Sequence, residues 1–112
     1  MAVSAGGTFT FDVSQGSVVL GGITTTVTNW NFTNVHGQNG KATTVTLINN
    51  AGTGYTYGDA CKVNGASIAN GVKWVGGNPP PSTNNDDILT FSIVRDNTGV
   101  TRVYCSSSIN II

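Results

Sequence analysis

Along most of this chain apolar and polar residues alternate with a period of two, the signature of strands that bury one face. Thr8 to Val13 sets Phe9, Phe11 and Val13 on one side, and Ser14-Gln15-Gly16 turns the chain. Ser17 to Leu20 reads as a short apolar strand ended by Gly21-Gly22. Ile23 to Phe32 starts in one phase, with Ile23, Thr25 and Val27, and ends in the other, with Trp30 and Phe32. Such a one-residue slip predicts a bulge or a bend between two sheets. Lys41 to Ile48 follows with Thr43, Val45 and Leu47 together, and Tyr55 to Val63 predicts one strand or two, broken near Gly58-Asp59. Asn64-Gly65 is a two-residue hairpin signal, Ala66 to Ala69 its short return strand, and Asn70-Gly71 repeats the signal before Val72 to Val75. Asp87 to Arg95 has Leu89, Phe91 and Ile93 on one face; Asp96-Asn97-Thr98-Gly99 turns it into a return strand, Val100 to Ser106.

Between the last two of these regions and Trp74 stands a segment that cannot be a central strand. Pro79, Pro80 and Pro81 remove three backbone donors and fix three φ angles, giving a stiff extended piece of about 9 Å. No window keeps a helical period, whereas Thr, Val and Ile abound and 15 glycines punctuate them. The expected fold is therefore all-β: a small antiparallel β-sandwich or barrel of about eight strands with long loops. The 112 residues form one domain, 1–112, large enough to bury roughly two-thirds of the unfolded chain's surface.

Charge narrows the function. Charged residues are 9% of the chain, five acidic and five basic, and glutamate is absent. A neutral surface of Thr, Asn, Ser and Gly lacks the basic footprint that nucleic acid requires, and little self-repulsion keeps copies apart. No apolar run approaches the ~20 residues of a membrane helix, and the start Met1-Ala2-Val3-Ser4-Ala5-Gly6 has neither the basic nor the apolar region of a secretory signal. Cys61 and Cys105 are expected as free, half-buried thiols of a protein made in the cytoplasm.

Candidate chemistry is sparse. His36 is the sole histidine and sits in a loop, with no local signature pairing it to Cys61 or Cys105 as a nucleophile. Asp86-Asp87 after Asn84-Asn85 offers oxygen ligands but no EF-hand spacing, so the acids are expected to cap turns and start a strand. Five aspartates in turns or near strand ends make a poor glycosidase pair. No catalytic residue, metal site or cofactor is expected. Trp30, Trp74, Tyr55 and Tyr57 read either as a sugar-stacking platform or as core. Ile109, Ile111 and Ile112 form an apolar tail that a monomer must fold back as a strand and an oligomer can bury against a neighbour. The residues expected at a contact surface are Trp74, Pro79, Pro80, Pro81, Trp30, Ile109 and Ile111, in a homo-oligomer with a trimer as the first expectation.

One stretch carries a resemblance. Lys41–Ile48, Val63-Asn64-Gly65, Val72-Lys73-Trp74-Val75-Gly76-Gly77-Asn78-Pro79-Pro80, Asp87-Ile88-Leu89-Thr90-Phe91 and Val103-Tyr104-Cys105-Ser106 occur in that order. The region from Lys41 to Ile111 thereby resembles a β module of tail-fibre and other virion proteins of tailed phages, especially marine and cyanobacterial ones. The resemblance implies a structural role without catalysis, at the virion surface after assembly in the host cytoplasm. In fibres such a module usually ends a long chain; here only Met1–Gly40 stands before it. That departure favours a capsid decoration (cement) protein bound to the major capsid protein of the same virion. The alternative implied is a tail-fibre or receptor-binding tip that takes host glycans through Trp30, Trp74 and Tyr55.

Overall fold

The computed structural model describes residues 7–21, 23, 25–49, 56–83 and 85–111. Nine strands among them run in the order β1 (Thr8–Asp12), β2 (Val18–Gly21), β3 (Val27–Thr33), β4 (Lys41–Asn49), β5 (Tyr57–Val63), β6 (Ala66–Ser67), β7 (Val72–Trp74), β8 (Asp86–Arg95) and β9 (Thr101–Ile111). They form two packed sheets, β1-β3-β5-β6 and β2-β4-β8-β9-β7. The molecule is thus the expected all-β protein, and of the two architectures foreseen it is the sandwich. No helix among the described residues is long and apolar enough to cross a membrane.

The pairing corrects the expectation of an antiparallel sheet. Strands β1 and β3, β3 and β5, β2 and β4, and β7 and β9 pair in parallel. The cause is a chain that changes sheet at every step from β1 to β5, so each strand meets the next but one, running the same way. Period-two alternation is identical in both geometries, so the pattern alone does not tell them apart. Asp12 shows how the first crossing is made: its carboxylate accepts from the Ser14 amide at 3.0 Å and caps a single 3₁₀ turn, Val13–Gln15. Only β4–β8, β8–β9 and β5–β6 are antiparallel.

The two Asn-Gly signals end differently. Asn64 and Gly65, at φ 51° and 84°, close the β5–β6 hairpin with Val63 opposite Ala66, as expected. Asn70 and Gly71 also have positive φ, but their turn carries the chain out of one sheet into β7 of the other. Gly71 is required there twice over: its φ is +60°, and a Cβ would lie 2.1 Å from the Asp59 carbonyl oxygen. The phase slip expected in the third strand is present. Val27 pairs with Tyr57 and Asn29 with Ala60, so between these pairs Thr28 of β3 opposes two residues of β5, Gly58 and Asp59, and Val27, Trp30 and Phe32 all reach the core.

Phe91 of β8 sits where the sheets meet. Its ring lies 4.9 Å from Trp30, 5.2 Å from Phe32 and 6.3 Å from Trp74, centroid to centroid. Phe9 and Tyr57 extend the cluster through Trp30 at 5.7 and 6.1 Å. Tilted pairs of this kind each contribute about 0.5–1.5 kcal/mol beyond their buried area.

Candidate functional site

The two sheets present unlike outer faces. On the four-stranded sheet the outward rows are Thr8–Asn29–Ala60, Thr10–Asn31–Lys62 and Asp12–Thr33. This face is polar and bonded to itself: Asn34 Nδ2 donates to Asp12 Oδ1 at 2.9 Å, and Asn31 Nδ2 to Thr10 Oγ1 at 3.4 Å.

The five-stranded sheet differs. Its inward residues, such as Val45, Leu47, Leu89, Phe91 and Ile93, are buried. Strand alternation therefore turns out Leu20, Ile48, Ile88 and Ser108 in one row, and Val18, Thr46, Thr90 and Ser106 in the next. A third row holds Thr44, Ser92, Tyr104 and Lys73. The first two rows contain no charge; Asp86, Lys73 and Arg102 stand only at the margins. Val18 and Leu20, on the edge strand β2, are 62% and 67% exposed. An edge without Lys, Pro or bulge, set beside an aliphatic and hydroxyl face, lacks the usual safeguards against pairing with another chain.

Sequence reasoning did not single out these residues. The available signal was that Val18, Val19 and Leu20 are apolar on both sides of a short strand, as are Ile88 and Leu89 in the long one.

The tryptophans expected at a contact surface are core residues instead. Trp30 is 1% and Trp74 8% exposed, because the shifted register turns acceptors toward both indoles. Trp30 Nε1 donates to the Gly58 carbonyl at 2.8 Å, and Trp74 Nε1 to Asp59 Oδ1 at 2.8 Å. With Tyr57 also buried, these rings offer no stacking platform; Tyr55 lies outside the described residues. Pro79 and Pro80 are half-buried and Pro81 exposed, and Pro81 bridges to Thr56, which ties the stiff segment to the start of β5.

Ile109 and Ile111 extend β9 beyond the expected end at Ser106, with Ile111 opposite Asp86. Ile109 is half-buried and Ile111 exposed; Ile112 is outside the described residues. What holds the tail is Asp87. This fully buried carboxylate accepts from Asn110 N at 3.1 Å, Tyr57 OH at 3.0 Å, Thr83 N at 2.9 Å and Thr83 Oγ1 at 2.5 Å. Burial works to raise its pKa, but the Thr83 hydroxyl, the Asn110 and Thr83 amides and the Tyr57 hydroxyl outweigh it, and the carboxyl titrates below its usual range. Tyr57 in turn is pushed up to about 12, mainly by burial. Asn49 completes the network, donating to Tyr57 OH and accepting from the Ile23 amide, both at 2.9 Å. The Asp86-Asp87 pair thus separates into an exposed acid and one committed to joining β8, β9 and the proline loop.

Cys61 and Cys105 are both free and buried, and burial pushes each thiol up to about 12, so neither supplies a nucleophilic thiolate. His36 is exposed on the loop after β3. Among the described residues no three His, Cys, Asp or Glu side chains gather as a metal site. No protein-family model, curated protein or solved structure matches the chain.

Proposed function

We propose that this protein is a non-enzymatic structural component of a tailed-phage particle: a capsid decoration protein that clusters as a homo-oligomer, a trimer first, on the major capsid protein. The observation that carries the reading is the outer face of the five-stranded sheet, whose two central rows across β2, β4, β8 and the middle of β9 hold no charge and end at the exposed Val18 and Leu20. Such a face loses little by desolvation when it meets another protein, since hydroxyls re-pair across an interface more cheaply than Lys or Glu can be dehydrated. The opposite, amide-rich face remains suited to water. One adhesive and one solvated side is what a protein lying flat on a shell requires, and repeated weak contacts add up through multivalency. The tail-tip alternative loses the aromatic platform it relied on, since Trp30 and Trp74 are buried.

The test is location and copy number. Quantitative mass spectrometry and immunogold labelling of purified particles should find many copies spread over the head. A few copies at the tail would favour the tip, and complete absence from particles would end the proposal. In vitro, Thr90→Lys at the centre of the face should abolish binding to purified undecorated shells in a co-sedimentation assay while leaving stability within about 0.5 kcal/mol.

A further inference from the structure

At the end of the sandwich where β5, β8 and β9 meet, the two sheets part around a cavity of about 450 Å³. Its floor is apolar, with Val63 and Ile93, and its rim carries His36, Ser67 and Arg95. The mouth is held open by bonds that need no occupant. Asn64 clasps the loop after β3 at Val35, accepting from its amide at 2.9 Å and donating to its carbonyl at 2.8 Å. Arg95 is fixed by its Nε, which donates to Asn39 Oδ1 at 2.7 Å.

The charge at this rim is uncompensated. No aspartate lines the cavity. The neighbouring Asp96 is spent on its own turn and on Arg102: it accepts from the Thr98 and Val100 amides at 2.9 and 3.0 Å, from the Thr98 hydroxyl, and pairs with Arg102. Among the described residues Arg95 makes no ion pair, and its two terminal nitrogens have no hydrogen-bond partner. A guanidinium whose outer edge is open presents the planar fork that matches a carboxylate. The cavity's size is that of a small-molecule site, with a few polar groups converging over an apolar floor.

We propose that this cavity binds a small organic monocarboxylate, its head on the outer edge of Arg95 and its carbon skeleton against Val63 and Ile93. Two sources share that chemistry: a hydroxylated sugar acid, which would also use Ser67 and His36, and a plain aliphatic acid, which would use the floor alone.

Amide correlation spectra of the full chain, titrated with sodium glucuronate, sodium hexanoate, glucose and 1-hexanol, test the site and separate the sources. Saturable shifts centred on Gly37, Asn64 and Gly99 are expected with at least one carboxylate, with a Kd of about 1 mM for a ligand this small. The neutral counterpart should bind about tenfold more weakly or worse. Glucuronate ahead of hexanoate identifies a sugar acid; the reverse order identifies an aliphatic one. Arg95→Gln should weaken binding about tenfold or more, and Ala69→Trp, which adds a bulky ring to the cavity lining, should abolish it. No shift at about 20 mM of either carboxylate, equal binding of the neutral compounds, or wild-type binding by either variant overturns the proposal.

Discussion

Trp74 and Asp59 are joined by a 2.8 Å hydrogen bond from the indole Nε1 to a carboxylate oxygen, and the bond links the two sheets through residues 15 positions apart. It exists because β5 carries one residue more than β3 between its paired positions, which brings Asp59 over β7. Trp74→Ala should therefore cost about 3–5 kcal/mol by loss of the buried ring. Asp59→Ala should cost only about 1 kcal/mol, because the acid is exposed. Urea denaturation followed by circular dichroism checks both. A Trp74→Ala variant with an unchanged midpoint and lost assembly would return Trp74 to the interface.

Asp87 sets the response to acid. Its folded pKa is lower than its unfolded value, so its contribution is complete above about pH 4, the unfolded value, and fades as pH falls through the lower folded one. Asp12 and Asp96 are also lowered, by bonds led by Asn34 and Thr98, and act with the same sign. Melting temperature measured from pH 7 to about pH 2 should fall for the wild type, and less steeply for Asp87→Asn. Asp87→Ala should cost at least about 3 kcal/mol at neutral pH, because it strands several buried donors at once.

Gly71 and Gly65 separate conformation from collision. Both have positive φ, but a Cβ at Gly65 meets nothing within 4 Å, whereas one at Gly71 strikes the Asp59 carbonyl. Gly65→Ala should cost about 1 kcal/mol, and Gly71→Ala several times more, read as paired denaturation midpoints.

The thiols report global opening. With both pKa values near 12, Cys61 and Cys105 should react with a disulfide reagent at pH 8 only as fast as the protein unfolds, and at once in denaturant. Rapid labelling of the native protein would contradict their burial.

How much of this was readable from the residues differs by level. Strand positions were legible because Phe9, Phe11, Val45, Leu47, Leu89, Phe91 and Ile93 keep strict alternation, and the slip between Val27 and Trp30 announced the register shift. Pairing direction was not, since a parallel neighbour leaves no mark on alternation, and Asn70-Gly71 is a hairpin signal that the fold uses for a crossing. Strand β9 runs past Ser106 although Ser106-Ser107-Ser108 has the composition of a turn, because pairing with β8 continues and the Asn110 amide donates to Asp87. Of the residues expected at a contact surface the core claims only Trp30 and Trp74, while the exposed sheet face is built of ordinary Thr, Ser, Val and Ile.

The winding of β1 to β5 back and forth between the sheets has a kinetic consequence. None of β1 to β4 can zip against its immediate successor, so the first half of the chain offers no local step that lowers the entropy of closing its loops. Only the β8–β9 and β5–β6 turns supply one. Refolding should accordingly start from the carboxyl-terminal ribbon and be slow for so short a protein. Residues such as Ile93 and Val103 should then show high φ-values and Phe9 and Phe11 values near zero.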